Sequence, residues 1–362
     1  MSTVVILEDD FWQPGVDFGA ALRRRGHRVV RCTSTSANDR LQERWATCSD
    51  VVLPAAIGPD GALDDRALAA LESPDLLDWQ AAEPCEMWLC QSGLEQRLLP
   101  YTRSAPLAPD EIIDKSRLCS YLDDCGIAVP AFWDRLEDVP DGESGPFILK
   151  PRSGAGGVGI QVLEDLAAAR RDDYGDVQVQ RFHPGPALDS AGVAREGEVV
   201  QLLTYRNTVN PRAPFSAAYG VTSTDDPQLA NVTRRVVAAL GLTGPFALDA
   251  VADVDGQPLV IDVNVRIYGS WTACQALGLD VIGAYEYAMG LGPRPPAVIV
   301  PAGRQAEILR RPPLNVATRA QRLRWLASQS AEVGRRRRWL GTDWARATMR
   351  DCLGWAMRGK SL

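Results

Sequence analysis

The stretch Phe147-Ile-Leu-Lys150-Pro-Arg-Ser-Gly154-Ala-Gly156-Gly157-Val-Gly159, followed by Ile160-Gln-Val-Leu163, decides how this chain is read. An apolar strand ends in a lysine and runs into a glycine-rich loop. Glycines let backbone N–H groups surround phosphate oxygens without side-chain obstruction, and Lys150 sets a cation against the same charges. Gly154, Gly156 and Gly159 also spell G-x-G-x-x-G, but a dinucleotide fingerprint must open a helix. Residues 160–163 alternate like a strand instead. The expectation is a hairpin whose tip covers phosphates. A P-loop would need a lysine directly after the last glycine. A protein kinase would place its lysine after the loop and need an H-R-D triplet. The chain has neither.

A second constellation lies downstream. Asp249 sits in Phe246-Ala-Leu-Asp249-Ala-Val, and across the turn Asp255-Gly256 the chain returns as Ile261-Asp262-Val-Asn264-Val-Arg266. An Asp-Gly pair between apolar runs signals a hairpin. Two-residue alternation then puts Asp262, Asn264 and Arg266 on one face, with Asp249 brought alongside. Carboxylates facing each other across a hairpin are costly without a cation between them. Two carboxylates and an amide oxygen suit magnesium, which fills its shell with water and phosphate oxygens. The plainer alternative is an edge strand with polar residues in water, and the apolar flanks argue against it.

Around these segments the pattern is that of a soluble α/β protein. Residues 4–7, 28–31, 51–54 and 86–90 read as strands, and residues 16–25, 64–71 and 93–99 as helices, which makes a small parallel sheet. A Pro-rich link leads to a helix capped by Asp110 and ended by Gly126, and residues 228–240 are again helical. No apolar run is long enough for a membrane span and no secretory leader is evident, so a cytoplasmic location is expected. Eight cysteines without a C-x-x-C pair, and only two histidines, argue for reduced core thiols rather than a zinc site. Net charge is −7, but residues 301–362 hold 14 Lys/Arg against four acids, leaving 25 against 42 in the rest. Trp339, Leu340 and Trp344 beside the arginines at 335–338 fit a packed helix with a basic outer face better than a nucleic-acid arm.

The order of lysine, glycine loop, apolar hinge and Asp…Asp-x-Asn-x-Arg resembles the ATP-grasp superfamily, above all its carbamoyl-phosphate-synthetase-like carboxylate–amine ligases. The resemblance covers about residues 110–300. It implies a Rossmann-like first lobe over residues 1–108 and a small subdomain with the loop over 109–184. A large subdomain with the metal site over 185–300 and a basic helical segment over 301–362 complete it. It implies ATP and Mg2+, two ions with Mn2+ as a substitute, a carboxylate and an amine as substrates, and an acyl phosphate between them. Lys115 and Lys150 resemble the two phosphate-holding lysines, and Ser153, Gly154, Gly156, Gly157 and Gly159 the mobile cover. Gln180 with the backbone of Arg181 and Phe182 resembles the hinge that faces adenine. Asp249, Asp262 and Asn264 resemble the metal ligands, Arg266 and Tyr268 the segment at the γ-phosphate, and Arg206 an arginine near the substrate carboxylate. The sequence departs from the family pattern where Asp262 replaces a glutamate. Ala187 also stands where a ribose-binding glutamate is usual, and Asp189 is the expected stand-in. Other acceptors (a thiol, bicarbonate, water) and a non-catalytic ATP-binding scaffold remain alternatives. A homodimer through the first lobe or the C-terminal helices is compatible with the sequence.

Overall fold

Short apolar runs that alternate with amphipathic stretches build a parallel sheet at the start of the chain. The computed structural model describes residues 3–8, 13–33, 39–56, 86–89, 114–152, 159–164, 175–208, 218–308 and 319–358, with a few single positions besides. Strand β1 (Thr3–Glu8), helix α1 (Gln13–Arg24), β2 (Arg28–Thr33), α2 (Asp39–Trp45), β3 (Val51–Leu53) and β4 (Glu86–Leu89) come first. The strands pair in parallel in the order β3-β2-β1-β4, as the sequence suggests. Of the helices expected over 64–71 and 93–99, Asp65 alone is described, as helical, and the rest lie outside the described residues.

Next come α3 (Lys115–Asp124), β5 (Phe132–Trp133), β6 (Phe147–Pro151), β7 (Gln161–Leu163) and β8 (Val177–Arg181). They form an antiparallel sheet ordered β5-β8-β6-β7. A strand does follow the glycine loop, with Phe147, Ile148 and Leu149 paired to Leu163, Val162 and Gln161. One face of this sheet is apolar: Phe147, Leu149 and Val179 pack with Leu136 and Val139. Alternation turns Ile148, Lys150, Gln178 and Gln180 to the other face. The cap of α3 is Asp114, whose carboxylate accepts from the N–H groups of Ser116 and Arg117. Asp110, the expected cap, lies outside the described residues.

The larger sheet uses β9 (Ala187–Arg195), β10 (Glu198–Thr208), β11 (Gly220–Ser223), β12 (Gly244–Ala252), β13 (Pro258–Asn264) and β14 (Gln305–Glu307). Its order is β13-β12-β9-β10-β11-β14. Helix α4 (Pro227–Ala239), capped by Asp226, lays Leu229, Val236 and Val237 against Phe246, Leu248 and Leu188 of one face. Burial of side chains of this kind contributes about 1.5–3 kcal/mol each. Helices α5 (Trp271–Leu277) and α6 (Val281–Ala288), and strand β14 before the C-terminal helices, were not anticipated.

The chain ends in α7 (Arg319–Leu340) and α8 (Thr342–Arg358). By contact it divides into two units. One joins Met1–Arg103, Gly269–Ala276 and Glu307–Leu362, and the other joins Ser104–Tyr268 and Leu277–Ala306. Within the first unit, the Trp344 indole donates to Asp17 at 2.7 Å and the Trp271 indole donates to the carbonyl of Pro14 at 3.0 Å. Asp17-Phe18-Gly19 spells the D-F-G of kinases, yet it lies inside α1 with Phe18 fully buried, so it is core. Of the four arginines at 335–338, Arg335, Arg337 and Arg338 are exposed as expected, whereas Arg336 is fully buried. Six cysteines are described, all as free thiols, and Cys125 alone among them is exposed. No helix among the described residues is long and apolar enough to cross a membrane.

Candidate active site

Two acids of the downstream motif face each other directly, because β12 and β13 pair Asp249 with Asp262. On its other side β12 pairs Asp249 with Asp189 of β9. Three carboxylates thus stand in a row across neighbouring strands, on the face opposite to α4. The charge is poorly compensated. Burial, then the charges of Asp189 and Asp262, push the Asp249 carboxyl well above its ordinary range, with Arg266 pulling against them. Burial pushes Asp189 up to about 6, opposed by the N–H of Asn207, which donates to its Oδ2 at 3.0 Å.

Immediately beyond Asp249 the register shifts, and Ala250 pairs with Val260, so Ile261 is an extra residue on β13. A bulge of this kind removes a residue from the ladder and re-aims its backbone. The carbonyl of Ile261 accepts from Lys150 Nζ at 2.9 Å. Lys150 is 5% exposed. Burial lowers its pKa, while Cys119, Asp262 and Asp249 act against that and Lys115 adds to it. The two expected lysines and the two expected acids therefore share one electrostatic neighbourhood. Asn264 Oδ1 accepts from Arg266 Nη2 at 2.7 Å, so that side chain returns to the end of β13.

Residues that the sequence reading did not single out hold this arrangement. The Oδ1 of Asp114 caps α3, while its Oδ2 takes Arg152 through Nε and Nη2, both at 2.9 Å. The carbonyl of Arg152 in turn accepts from the backbone N–H of Lys115 at 3.0 Å. One ion pair therefore ties the helix bearing Lys115 to the strand bearing Lys150. Cys119, one helical turn beyond Lys115, lies beside Lys150, and Gln180 Nε2 reaches its sulfur at 3.9 Å. An (i, i+4) spacing from Lys115 was the available signal.

Other expected residues fall differently. Ser153, Gly154 and Gly156 lie outside the described residues. Gly157 adopts φ +73°, and a Cβ there would clash with the carbonyl oxygen of Phe215, so only glycine fits. Gly159 adopts φ +78°. The N–H groups of Arg181 and Phe182 already donate to the carbonyls of Ala131 and Pro146, so those donors are not open to a base. The Arg181 side chain pairs with Glu143. Asp189, expected to replace a ribose ligand, sits with the other acids instead. Arg206 is exposed, and alternation turns it to the face opposite Asp189, since Asp189 pairs with Tyr205. It is not brought together with the acids. Tyr268 is buried, two residues beyond Arg266.

Among the described residues no three His, Cys, Asp or Glu side chains form a ready metal cage. Two carboxylates, one amide oxygen and an excess of negative charge nevertheless fit a hard divalent cation that completes its shell with phosphate oxygens.

Residues 112–270 match the family model described as an ATP-grasp domain. The chain is 27% identical over 200 residues to a D-alanine--D-alanine ligase of Bordetella petrii, covering 48% of this chain and 60% of that protein. A D-alanine--D-alanine ligase of Bordetella pertussis is 29% identical over 200 residues, covering 48% and 62%. The match thus spans about three fifths of the length of these relatives. Among solved structures, N5-carboxyaminoimidazole ribonucleotide synthetase from Thermotoga maritima aligns with TM-score 0.58 at 16% identity, over 83% of this chain and 79% of that one. An L-amino acid ligase from Bacillus licheniformis aligns with TM-score 0.53 at 20% identity, over 75% and 69%. Such likenesses show a shared fold. The family match gives residues 112–270 of this chain their likeness to an ATP-grasp domain.

Proposed function

We propose that this chain is an ATP- and magnesium-dependent ligase that joins a carboxylate to an amine, with a cytoplasmic amino acid or related small carboxylate as substrate. The observation that carries the reading is the convergence on buried Lys150 of Lys115, Asp262 and Asp249. Two cations and two carboxylates in one neighbourhood suit a triphosphate held by lysines on one side and by a shared divalent ion on the other. Asp249, Asp262 and Asn264 would hold that ion, which supplies charge neutralisation to the phosphates when bound. Lys115 and Lys150 would bind phosphate oxygens, and Arg266 would meet charge developing on the transferred group. The segment with Gly157 and Gly159 would cover the site and exclude water.

In the reaction so assigned, a carboxylate oxygen of the substrate attacks the γ-phosphorus and the bond to the bridging oxygen of ADP breaks. The amine nitrogen then attacks the acyl carbon, the bond from that carbon to the phosphate oxygen breaks, inorganic phosphate leaves, the amine proton goes to solvent, and an amide remains. No Ser, Cys or Thr nucleophile is needed. The test is a screen of amino-acid pairs for ADP release, followed by product mass. With the carboxylate labelled by heavy oxygen, one label must appear in the released phosphate. Release of unlabelled phosphate together with amide would exclude the acyl phosphate. A carboxylated or thioester product would reassign the acceptor.

A further inference from the structure

Gln178 is fully buried, and neither its Nε2 nor its Oε1 has a hydrogen-bond partner among the described residues. Natural interiors hold few such groups, because each unmade bond leaves a desolvated donor or acceptor uncompensated. Position narrows the explanation. Gln178 pairs directly with Lys150 across β6 and β8, so the two side chains share a face. That face is the polar one, because Phe147, Leu149 and Val179 occupy the other. Gln180 stands two residues along on the same side, and its amide reaches the Cys119 sulfur. Cys119 is the nearest candidate partner: a hydrogen-bonding approach of Gln178 lowers the thiol pKa that burial raises, but it does not reach the distance and angle that would satisfy the amide. The side chains next to Lys150 on this face are themselves uncharged, two carboxamides and a protonated thiol, although Lys115 and Asp262 act on them from nearby.

A carboxamide offers one donor and one acceptor side by side, and a neutral patch next to a phosphate-binding lysine is where the uncharged part of a nucleotide would lie. We infer that Gln178 is a specificity-determining residue whose amide pairs with a neutral donor–acceptor group of the nucleotide, on the base edge or the sugar. This rests on the nucleotide reading of the cleft. It adds a contact outside the Gln180–Phe182 hinge segment.

The experiment compares wild type with Gln178→Met, a side chain of similar length without donor or acceptor. Two quantities are read: the dissociation constant of a non-hydrolysable ATP analogue with magnesium, and the melting temperature of the ligand-free protein. A ligand-facing amide predicts a dissociation constant raised at least about tenfold. It also predicts an unchanged or higher melting temperature, because an uncompensated polar group has been removed. A purely structural amide predicts the reverse, a lower melting temperature and unaltered affinity, and that result overturns the inference. Gln178→Leu serves where the methionine variant does not fold. Triphosphates of purine riboside, without the exocyclic amine, and of 2′-deoxyadenosine locate the contact. The one that weakens in wild type but not in the variant lacks the contacted group, and equal losses in both proteins for both analogues count against the inference. Failure of wild type to bind any nucleotide would instead sink the proposed function itself.

Discussion

Each of the two units buries charge, and Arg336 in the first is treated unlike the acids of the second. In the first, Arg336 is fully buried and every arm of its guanidinium is engaged. Nε donates to Glu332 Oε1 at 2.6 Å, Nη1 to Thr272 Oγ1 at 2.7 Å, and Nη2 to the carbonyl of Glu307. In the second, Asp189, Asp249 and Asp262 face one another, Lys150 reaches only a bulged carbonyl among the bonds described, and the Gln178 amide bonds nothing. A buried polar cluster that is fully satisfied serves the fold. One left with like charges in register and an orphaned amide is complete only when something else enters. The contrast teaches where to expect structure and where to expect chemistry.

The contrast breaks first at Asp262. Asp262→Ala should lower turnover by at least about a thousandfold, a loss typical of removing transition-state charge stabilisation. It should leave the melting temperature of the ligand-free protein unchanged or raised, because a repelling charge is gone. Steady-state kinetics beside a thermal melt check both halves. Arg336→Met should do the opposite. It leaves Glu332, 3% exposed at its side chain, with Arg335 as its remaining partner and leaves Thr272 and the Glu307 carbonyl without their donor, and should cost about 1–3 kcal/mol of stability by denaturant titration. In any folded fraction the affinity for nucleotide should hold.

A pH series sharpens the comparison further. The folded-state pKa of Asp189 is raised from 3.8 to about 6, and that of Asp249 is raised as well. The folded chain therefore keeps protons that the unfolded chain has already released. Stability of the metal-free protein should fall as pH rises from about 4 through about 6 and beyond, as the coupled pair Asp189 and Asp249 is forced to ionise. Saturating magnesium and ATP should flatten that fall, and Asp189→Asn should shrink it. The smallest effect is expected at Asp114→Ala. Loss of a helix cap and of the Arg152 pair should cost about 1–2 kcal/mol. It should also raise the KM for ATP a few-fold with kcat nearly intact, since Lys115 and Lys150 lose their common anchor.

Much of this was legible in the sequence because it is local. The turn at Asp255-Gly256 and the alternation around Asp249 and Asp262 give the hairpin, and strand-like residues after Gly159 exclude a dinucleotide fold. What the sequence hid depends on pairing between distant segments. The place of Asp189 beside Asp249 follows from the order β12-β9-β10, which no local pattern encodes. The position of Gln178 opposite Lys150 follows from β8 pairing with β6, and the bulge at Ile261 is a one-residue register shift without a sequence mark. Arg206 illustrates the same limit from the other side, since a one-residue step along a strand reverses the face. Arg336 looked like its exposed neighbours because a run of four arginines carries no periodicity.

The central claim is that Asp249 and Asp262 share a divalent ion with a triphosphate gripped by Lys115 and Lys150. Manganese binding, followed by electron paramagnetic resonance with and without a non-hydrolysable ATP analogue, tests it most directly. Wild type should hold manganese tightly only when the analogue is present, and Asp249→Asn should lose that tight fraction. Equal manganese binding by wild type and the variant, or binding indifferent to the nucleotide, would contradict the account.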